Sequence, residues 1–212
     1  MHIPDGFIAP QVYGPAYGAT GLLWAIGLRR LRRALDPAAV PRLAVATAAA
    51  FALMMVTVPM PGGTTVHVLG VGMVAVLFGV WNAFLALSLV YLMQALMFGN
   101  GGVTALPINA LAMGLLGSLS AVGIYRLLKP LQHTVALFCA GWTGTVVPAI
   151  VLAVILGAQP HLAQAADGTP LFFPFGWKVT LPAVIVPHLL VGIADGVLVV
   201  MAWRVLGRKE ST

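Results

Sequence analysis

The chain has 212 residues, of which 60% are hydrophobic and only 8% are charged, whereas a soluble domain carries roughly 25% charged residues. This composition excludes an ordinary soluble globular protein and predicts one that lies in a lipid bilayer. The formal net charge of +6 does not indicate nucleic-acid binding, because the basic residues form short clusters between apolar runs. Loops that face the cytoplasm and anionic lipid have this pattern.

Apolar runs of roughly 17–25 residues recur along the chain, and in a bilayer such runs must be helical because no water satisfies an exposed strand edge. The predicted fold class is therefore all-α and polytopic, with a single transmembrane domain over residues 1–212. The stretch from Val66 to Phe98 is too long for one span, and we expect it to break between Gly79 and Asn82. The seven predicted spans lie at about 15–28, 41–59, 66–80, 82–98, 106–125, 132–157 and 183–205.

The distribution of Lys and Arg predicts the orientation, because these residues concentrate in cytoplasmic loops. With seven spans and an external N-terminus, ten of the 11 basic residues fall on the cytoplasmic side and only Lys178 falls outside. The C-terminus is then cytoplasmic. The chain opens without the basic segment of a cleavable signal peptide, and a large second residue disfavours trimming of the initiator, so we expect Met1 to be retained.

This topology brings several loops to the outer side together with the N-terminus. They include residues 59–66, which precede His67, and residues 99–106, which contain several glycines. The longest external segment, 157–181, is rich in proline and aromatic residues. It is interpreted either as an interfacial aromatic belt or as a lid over an external site.

The N-terminus contains the most distinctive candidate site. A histidine at position 2 offers three nitrogens from one short segment, namely the Met1 amine, the His2 amide and the His2 imidazole, which can close fused chelate rings. The amide must lose its proton to bind, which requires a strongly polarising late transition metal; Ni²⁺ and Cu²⁺ suit such nitrogen sites, and Mg²⁺ and Ca²⁺ do not. His67 can supply a fourth nitrogen, oriented by the Thr65 hydroxyl. A histidine at position 2 is often incidental, but an ionisable group near lipid is functional by default.

Four further polar residues are candidates for supporting roles. Asp5 either holds the N-terminal turn or accepts a hydrogen bond from an imidazole. Asn109 either lines the site or caps a helix. His188 and Asp195 are seven residues apart and share one face of the last span. They either extend a polar relay towards the metal or are structural groups bonded within the bundle.

Four motifs carry a family resemblance: MHIPDGF at 1–7, PMPGGTTVH at 59–67, FGNGGVTALPINALAMG at 98–114 and PHLLVGIADG at 187–196. They resemble the CbiM/NikM proteins, the metal-binding S-components of energy-coupling-factor (ECF) cobalt and nickel transporters, over essentially the whole chain. The resemblance implies a seven-helix protein whose N-terminus inserts into the bundle, with Met1, His2 and His67 as metal ligands in a planar four-nitrogen site. The opening MHIPDG is more typical of nickel members, so Ni²⁺ is the favoured substrate and Co²⁺, for cobalamin synthesis, is the alternative.

The resemblance also implies partners in the bacterial plasma membrane: a transmembrane coupling subunit, two cytoplasmic ATPase subunits and often a small accessory membrane protein. The sequence itself contains no phosphate-binding Gly-rich loop, no GxSxG motif and no HExxH motif. We therefore expect a transporter subunit that is not an enzyme and has no cofactor. A membrane metalloenzyme is disfavoured because four planar nitrogens leave little room for a substrate. A stand-alone channel is disfavoured because conduction needs several weak sites in series.

Overall fold

The computed structural model describes residues 2–34, 36–60 and 64–207, and this part of the chain is mostly helical. The helices are α1 (Pro10–Ala34), α2 (Val40–Met55), α3 (Val71–Phe78), α4 (Val80–Phe98), α5 (Leu106–Asn109), α6 (Gly117–Leu128), α7 (His133–Leu162) and α8 (Trp177–Leu206). A π-helical segment, Ala110–Leu116, joins α5 to α6 in one continuous rod. The all-α polytopic prediction is confirmed.

Five helical segments of the described chain are long and apolar enough to cross a bilayer. They are Pro37–Met55, Val80–Phe98, Leu106–Leu128, His133–Leu162 and Trp177–Leu206. Helix α1 has 25 residues but ends in an arginine cluster, and α3 has only eight residues, about 12 Å against a hydrocarbon core of about 30 Å. The count of seven spans and the side of each terminus therefore stay predictions.

Two helix boundaries follow directly from the local sequence. A short 3-10 helix, Pro37–Ala39, leads into α2. The Asp36 side chain caps it by accepting a hydrogen bond from Ala38 N at 2.9 Å, and Pro37 occupies its first position, where a missing N–H costs nothing. Gly79 lies between α3 and α4 with φ 84° and ψ 164°, a conformation that favours glycine. The predicted break between Gly79 and Asn82 is therefore present, and it falls at the glycine.

The structure departs from the sequence prediction at the start of the third predicted span. Two short strands, β1 (Val58–Met60) and β2 (Thr64–Val66), form an antiparallel ribbon in which Val58 pairs with Val66. The chain after β2 has no helical structure until Val71. The expected helix over 66–80 is thus wrong for its first five residues, and His67 lies in a linker before α3.

A carboxylate from α8 explains why α3 begins so late. Asp195, 1% exposed, accepts hydrogen bonds from Leu69 N at 3.1 Å and Gly70 N at 2.8 Å, and a third from the Thr145 hydroxyl at 2.6 Å. Gly70 adopts a left-handed conformation with φ 66°. These bonds satisfy the free N–H groups of the linker inside the protein, where non-helical backbone at membrane depth is tolerated.

Helix α7 is central to the bundle because its glycines admit neighbouring backbones. A Cβ atom on Gly141 would lie 2.4 Å from the Asp195 carbonyl oxygen of α8, and one on Gly72 of α3 would lie 2.7 Å from the Gly141 Cα. A Cβ on Gly117 of α6 would lie 2.9 Å from Pro148. Small residues of this kind allow close helix packing in lipid, and here they fix α3 and α8 against one side of the site.

Candidate metal-binding site

The N-terminal segment, residues 2–9, is anchored to the helical bundle at its two ends, while residues 4–7 between them are exposed. Ile3 and Ile8 are 2% and 1% exposed. The Asn109 side chain pairs with Ile3 in both directions: Ile3 N donates to Asn109 Oδ1, and Asn109 Nδ2 donates to the Ile3 carbonyl, each at 3.1 Å. Ala9 N donates to Gln159 Oε1 at 2.9 Å. A buried N–H without its acceptor costs about 1–3 kcal/mol, so these amides stabilise the inserted position.

Asp5 attaches the same segment to the loop before α5. Its carboxylate accepts hydrogen bonds from Val103 N at 3.1 Å, from Thr104 N at 2.7 Å and from the Thr104 hydroxyl at 2.5 Å. Hydrogen bonds from Thr104, the largest contribution, hold the pKa of the Asp5 carboxyl below its ordinary value. These bonds go to the neighbouring loop, and Asp5 therefore fixes the position of the residues that follow His2.

Two glycines of that loop let the N-terminal segment approach closely. A Cβ on Gly102 would lie 2.3 Å from Asp5 N, and one on Gly101 would lie 3.1 Å from the His2 Cβ. Gly101 also has φ 87°, a conformation that side chains disfavour. Gly102 N donates to the Ile3 carbonyl at 3.0 Å. The loop thus forms one wall against which His2 is placed.

His2 and His67 come together although they are far apart in the sequence. Their imidazole rings stack with centroids 5.0 Å apart and an interplanar angle of 13°, and Tyr91 of α4 packs edge-on against the His2 ring at 5.1 Å. Both His2 ring nitrogens are buried and have no hydrogen-bond partner of good geometry among the described residues, although the Asn100 side chain approaches the ring. Nitrogen lone pairs in such a position suit metal coordination.

His67 is 2% exposed, and its Nδ1 lies 3.2 Å from the Val68 carbonyl. Because a carbonyl oxygen only accepts, this contact favours a proton on Nδ1. A ligating histidine typically donates its other N–H to a carbonyl in this way. Thr65, two residues before His67, lies on β2 and pairs there with Pro59 of β1.

A cavity of about 460 Å³ opens beside His2. His2, Thr65 and His188 contribute polar side chains to its lining, while α7 and α8 contribute mainly aliphatic ones. Phe173 and Phe175, from the segment between α7 and α8, cover another side. Phe173 N donates to the Phe7 carbonyl at 3.3 Å, so this segment contacts the inserted N-terminus.

The structure therefore brings together most of the residues singled out from the sequence. His2 and His67 are in ring contact, Asp5 and Asn109 hold the segment that carries His2, and Thr65 and His188 line the adjoining cavity. Met1, the remaining expected ligand, lies outside the described residues, as do Gly62 and Gly63 of the motif before His67. Within the described ranges, no group of three or more His, Cys, Asp or Glu side chains is arranged around a metal position.

Sequence reasoning missed three residues that support the site: Tyr91, Asn100 and Gln159. Tyr91 and Gln159 sit within long apolar helices, and each is at most 1% exposed. A buried polar group in a membrane helix is costly and usually has a partner, so Gln159 in particular carried a detectable signal. The sequence could not reveal its partner, because Ala9 donates its backbone N–H, a group that almost every residue has.

The chain is similar to known transport proteins along nearly its whole length. The family model described as "Cobalt uptake substrate-specific transmembrane region" (CbiM) matches residues 2–212. A probable fused nickel transport protein LarMN of Lactiplantibacillus plantarum is 36% identical over 216 residues, covering 100% of this chain and 66% of that protein. The fused nickel transport protein NikMN of Rhodobacter capsulatus is 35% identical, with 96% of this chain and 61% of that protein covered. The chain thus spans slightly less than two thirds of these fused relatives.

Other relatives are named for cobalt, and solved structures share the fold. A putative cobalt transport protein CbiM of Methanocaldococcus jannaschii is 32% identical, with 96% of this chain and 85% of that protein covered. A crystal structure described as a truncated transition metal transporter superposes with a TM-score of 0.92 at 36% identity, covering 97% of this chain and 98% of that one. With a family match over nearly its whole length, the chain belongs to the CbiM family of substrate-specific transmembrane proteins, and it is a multi-pass membrane protein.

Proposed function

We propose that this chain captures a divalent transition-metal ion, Ni²⁺ in the first instance, as the substrate-binding subunit of an ATP-driven ECF uptake transporter. The observation that carries the proposal is the contact between the His2 and His67 imidazoles, with rings 5.0 Å apart, in a segment fixed by Asn109 and Asp5. Two imidazoles held this closely in a buried site are a typical start for a transition-metal centre.

The proposed ligands are the Met1 amine, the His2 amide and imidazole, and the His67 imidazole. A four-nitrogen set of this kind suits Ni²⁺, and Co²⁺ is the alternative because relatives are named for each metal. Raw affinity follows an order in which Cu²⁺ exceeds both, so exclusion of copper depends on geometry or availability. The MHIPDG opening favours nickel.

Partners must supply the energy for accumulation, because the sequence carries none of the nucleotide-binding motifs described above. The proposed assembly contains a transmembrane coupling subunit, two cytoplasmic ATPase subunits and often a small accessory membrane protein. That the curated nickel relatives are fused proteins of greater length supports a role as one component of a larger transporter. The proposed location is the bacterial plasma membrane, with the site facing outwards.

The test is a titration of purified full-length protein with Ni²⁺, comparing His67→Ala with His161→Ala. His67→Ala removes a proposed ligand and should abolish tight binding. His161 stacks on Trp177 and does not line the cavity beside His2, so its replacement should leave the affinity unchanged. Competition between Ni²⁺ and Co²⁺ on the native protein then ranks the two metals. Native affinity in folded His67→Ala would remove His67 from the site and the proposal with it.

A further inference from the structure

The cavity beside His2 contains an imidazole that the proposed chelate does not use. His188 of α8 is 3% exposed, and it lines the same cavity as His2 and Thr65. Its position on α8 follows Pro187 and precedes Asp195, so it belongs to the helix that also fixes the start of α3.

The hydrogen bonding of His188 leaves one particular nitrogen available. Nδ1 lies 2.6 Å from the Val184 carbonyl oxygen, one turn earlier in the same helix. A carbonyl only accepts, so Nδ1 carries the proton and Nε2 holds an unprotonated lone pair. Nε2 is buried and has no hydrogen-bond partner in the described part of the chain. A ring N–H bonded to a carbonyl, with the other nitrogen bare, is the usual arrangement of a metal-ligating histidine.

The size of the cavity exceeds what a bare ion in the chelate needs. A cavity needs about 10–15 Å³ of such space to hold one water, so about 460 Å³ has ample room for a metal ion with its first shell of waters. The cavity can therefore receive a hydrated ion, which must shed water before it reaches nitrogen ligands that are buried.

We propose that His188 Nε2 is a second, weaker coordination point, at which the metal ion exchanges part of its water shell in the cavity next to the chelate of His2 and His67. This inference rests on the proposed function. No group of three or more His, Cys, Asp or Glu ligands surrounds the position within the described residues, so water completes the coordination at His188. A single imidazole and water ligands hold an ion loosely, which allows it to move on.

The variant that isolates this role is His188→Asn. The asparagine amide can keep the hydrogen bond to the Val184 carbonyl, because its nitrogen lies near the position of Nδ1, but it has no counterpart of Nε2. His188→Ala removes both groups and serves as a second variant. His161→Ala is the matched control, because His161 stacks on Trp177 and does not line the cavity.

The measurement is the number of Ni²⁺ ions bound per chain, by equilibrium dialysis with elemental analysis, on full-length protein without a polyhistidine tag. We expect one tight and one weak class in the native protein and in His161→Ala. His188→Asn should keep the tight class and lose the weak one, so that binding at high metal falls from two ions to one. Loading of the tight class, followed by its visible absorption, should also become slower while its affinity is retained.

The outcomes separate the two proposals. A weak class that persists unchanged in His188→Asn, or that is absent from the native protein, overturns the role of His188 and leaves the proposed function standing. Loss of the tight class in His188→Asn also overturns the inference, because His188 would then belong to the main site. Absence of any tight class in the native protein contradicts the proposed function itself.

Discussion

Substitution of Gly102 by alanine should weaken metal binding although the new methyl group is not adjacent to either proposed histidine ligand. Gly102 has no positive φ, so alanine introduces no backbone strain there. Its Cβ, however, would lie 2.3 Å from Asp5 N and 2.4 Å from Asp5 Oδ1. Backbone cannot give way as a flexible side chain does, and the N-terminal segment must therefore move.

The displacement can be derived from these distances. Ordinary contact begins at 3.4 Å, so the Asp5 amide must retreat by about 1 Å. Ligand distances in metal sites hold to within about 0.2 Å, and Asp5 is only three residues from His2. We expect at least a tenfold loss of Ni²⁺ affinity, which corresponds to about 1.4 kcal/mol.

The matched control is Gly123→Ala in α6, where an added Cβ meets nothing within 4 Å. Alanine favours a helix over glycine by up to about 1 kcal/mol, so this variant should bind as the native protein does and be at least as stable. Both variants are purified in the same detergent and titrated by calorimetry after their thermal unfolding has been compared. Equal affinity of Gly102→Ala and Gly123→Ala would refute the view that this loop positions the N-terminal ligands.

Three further predictions concern the N-terminus, the Asp5 anchor and the topology. A residue inserted between Met1 and His2, or an N-terminal tag, should abolish metal uptake in cells with the partner subunits, while a C-terminal tag should not; equal uptake by both tagged forms would exclude the amine as a ligand. Asp5→Asn should speed hydrogen exchange of the amides at 103–104 at neutral pH. Because the pKa of the Asp5 carboxyl is lowered, the carboxylate stabilises the fold fully above its unfolded-state pKa of about 3.9, and this stabilisation is lost as the pH falls through the lowered pKa. Unchanged exchange in the variant at pH 7 would contradict the view that Asp5 holds this loop. A cysteine replacing Thr169, in a variant without the native cysteine, should react with an impermeant external reagent. A reporter fused after the C-terminus should be cytoplasmic. The reverse labelling pattern would invert the predicted orientation.

The sequence was sufficient for the features that depend on neighbouring residues. Apolar runs gave the long helices, and the break at Gly79 followed from the length of one run. The start of α3 could not be predicted, because residues 66–70 are mostly apolar, as in a membrane helix. The group that holds them in a non-helical linker is the Asp195 carboxylate, more than 120 residues later. Periodicity contains no information about such distant partners.

In the candidate site too, some residues could be predicted from the sequence and others could not. His2 and His67 stood out because imidazole nitrogens can bind a metal and both residues occupy unusual positions, and the family motifs added specificity to both. The pairing of Asn109 with the Ile3 backbone was not foreseen, since any residue at position 3 offers the same N–H and carbonyl. The close approach of Gly102 to Asp5 also depends on backbone positions that only the folded chain defines.

The anchoring of residues 2–9 also has a consequence for the order in which the protein is assembled. This segment is synthesised well before the helices that hold it, because Ile3 and Ala9 are bonded to side chains 106 and 150 residues later in the chain. Contacts of such separation form late, because long loops must close before they can stabilise anything. Residues 2–9 can therefore form these contacts only after α7 has left the ribosome and entered the membrane. A nascent chain that stalls before that point has both histidines but lacks the contacts that hold the His2 segment in place, so we expect the proposed capture of metal only from chains whose insertion has advanced at least that far.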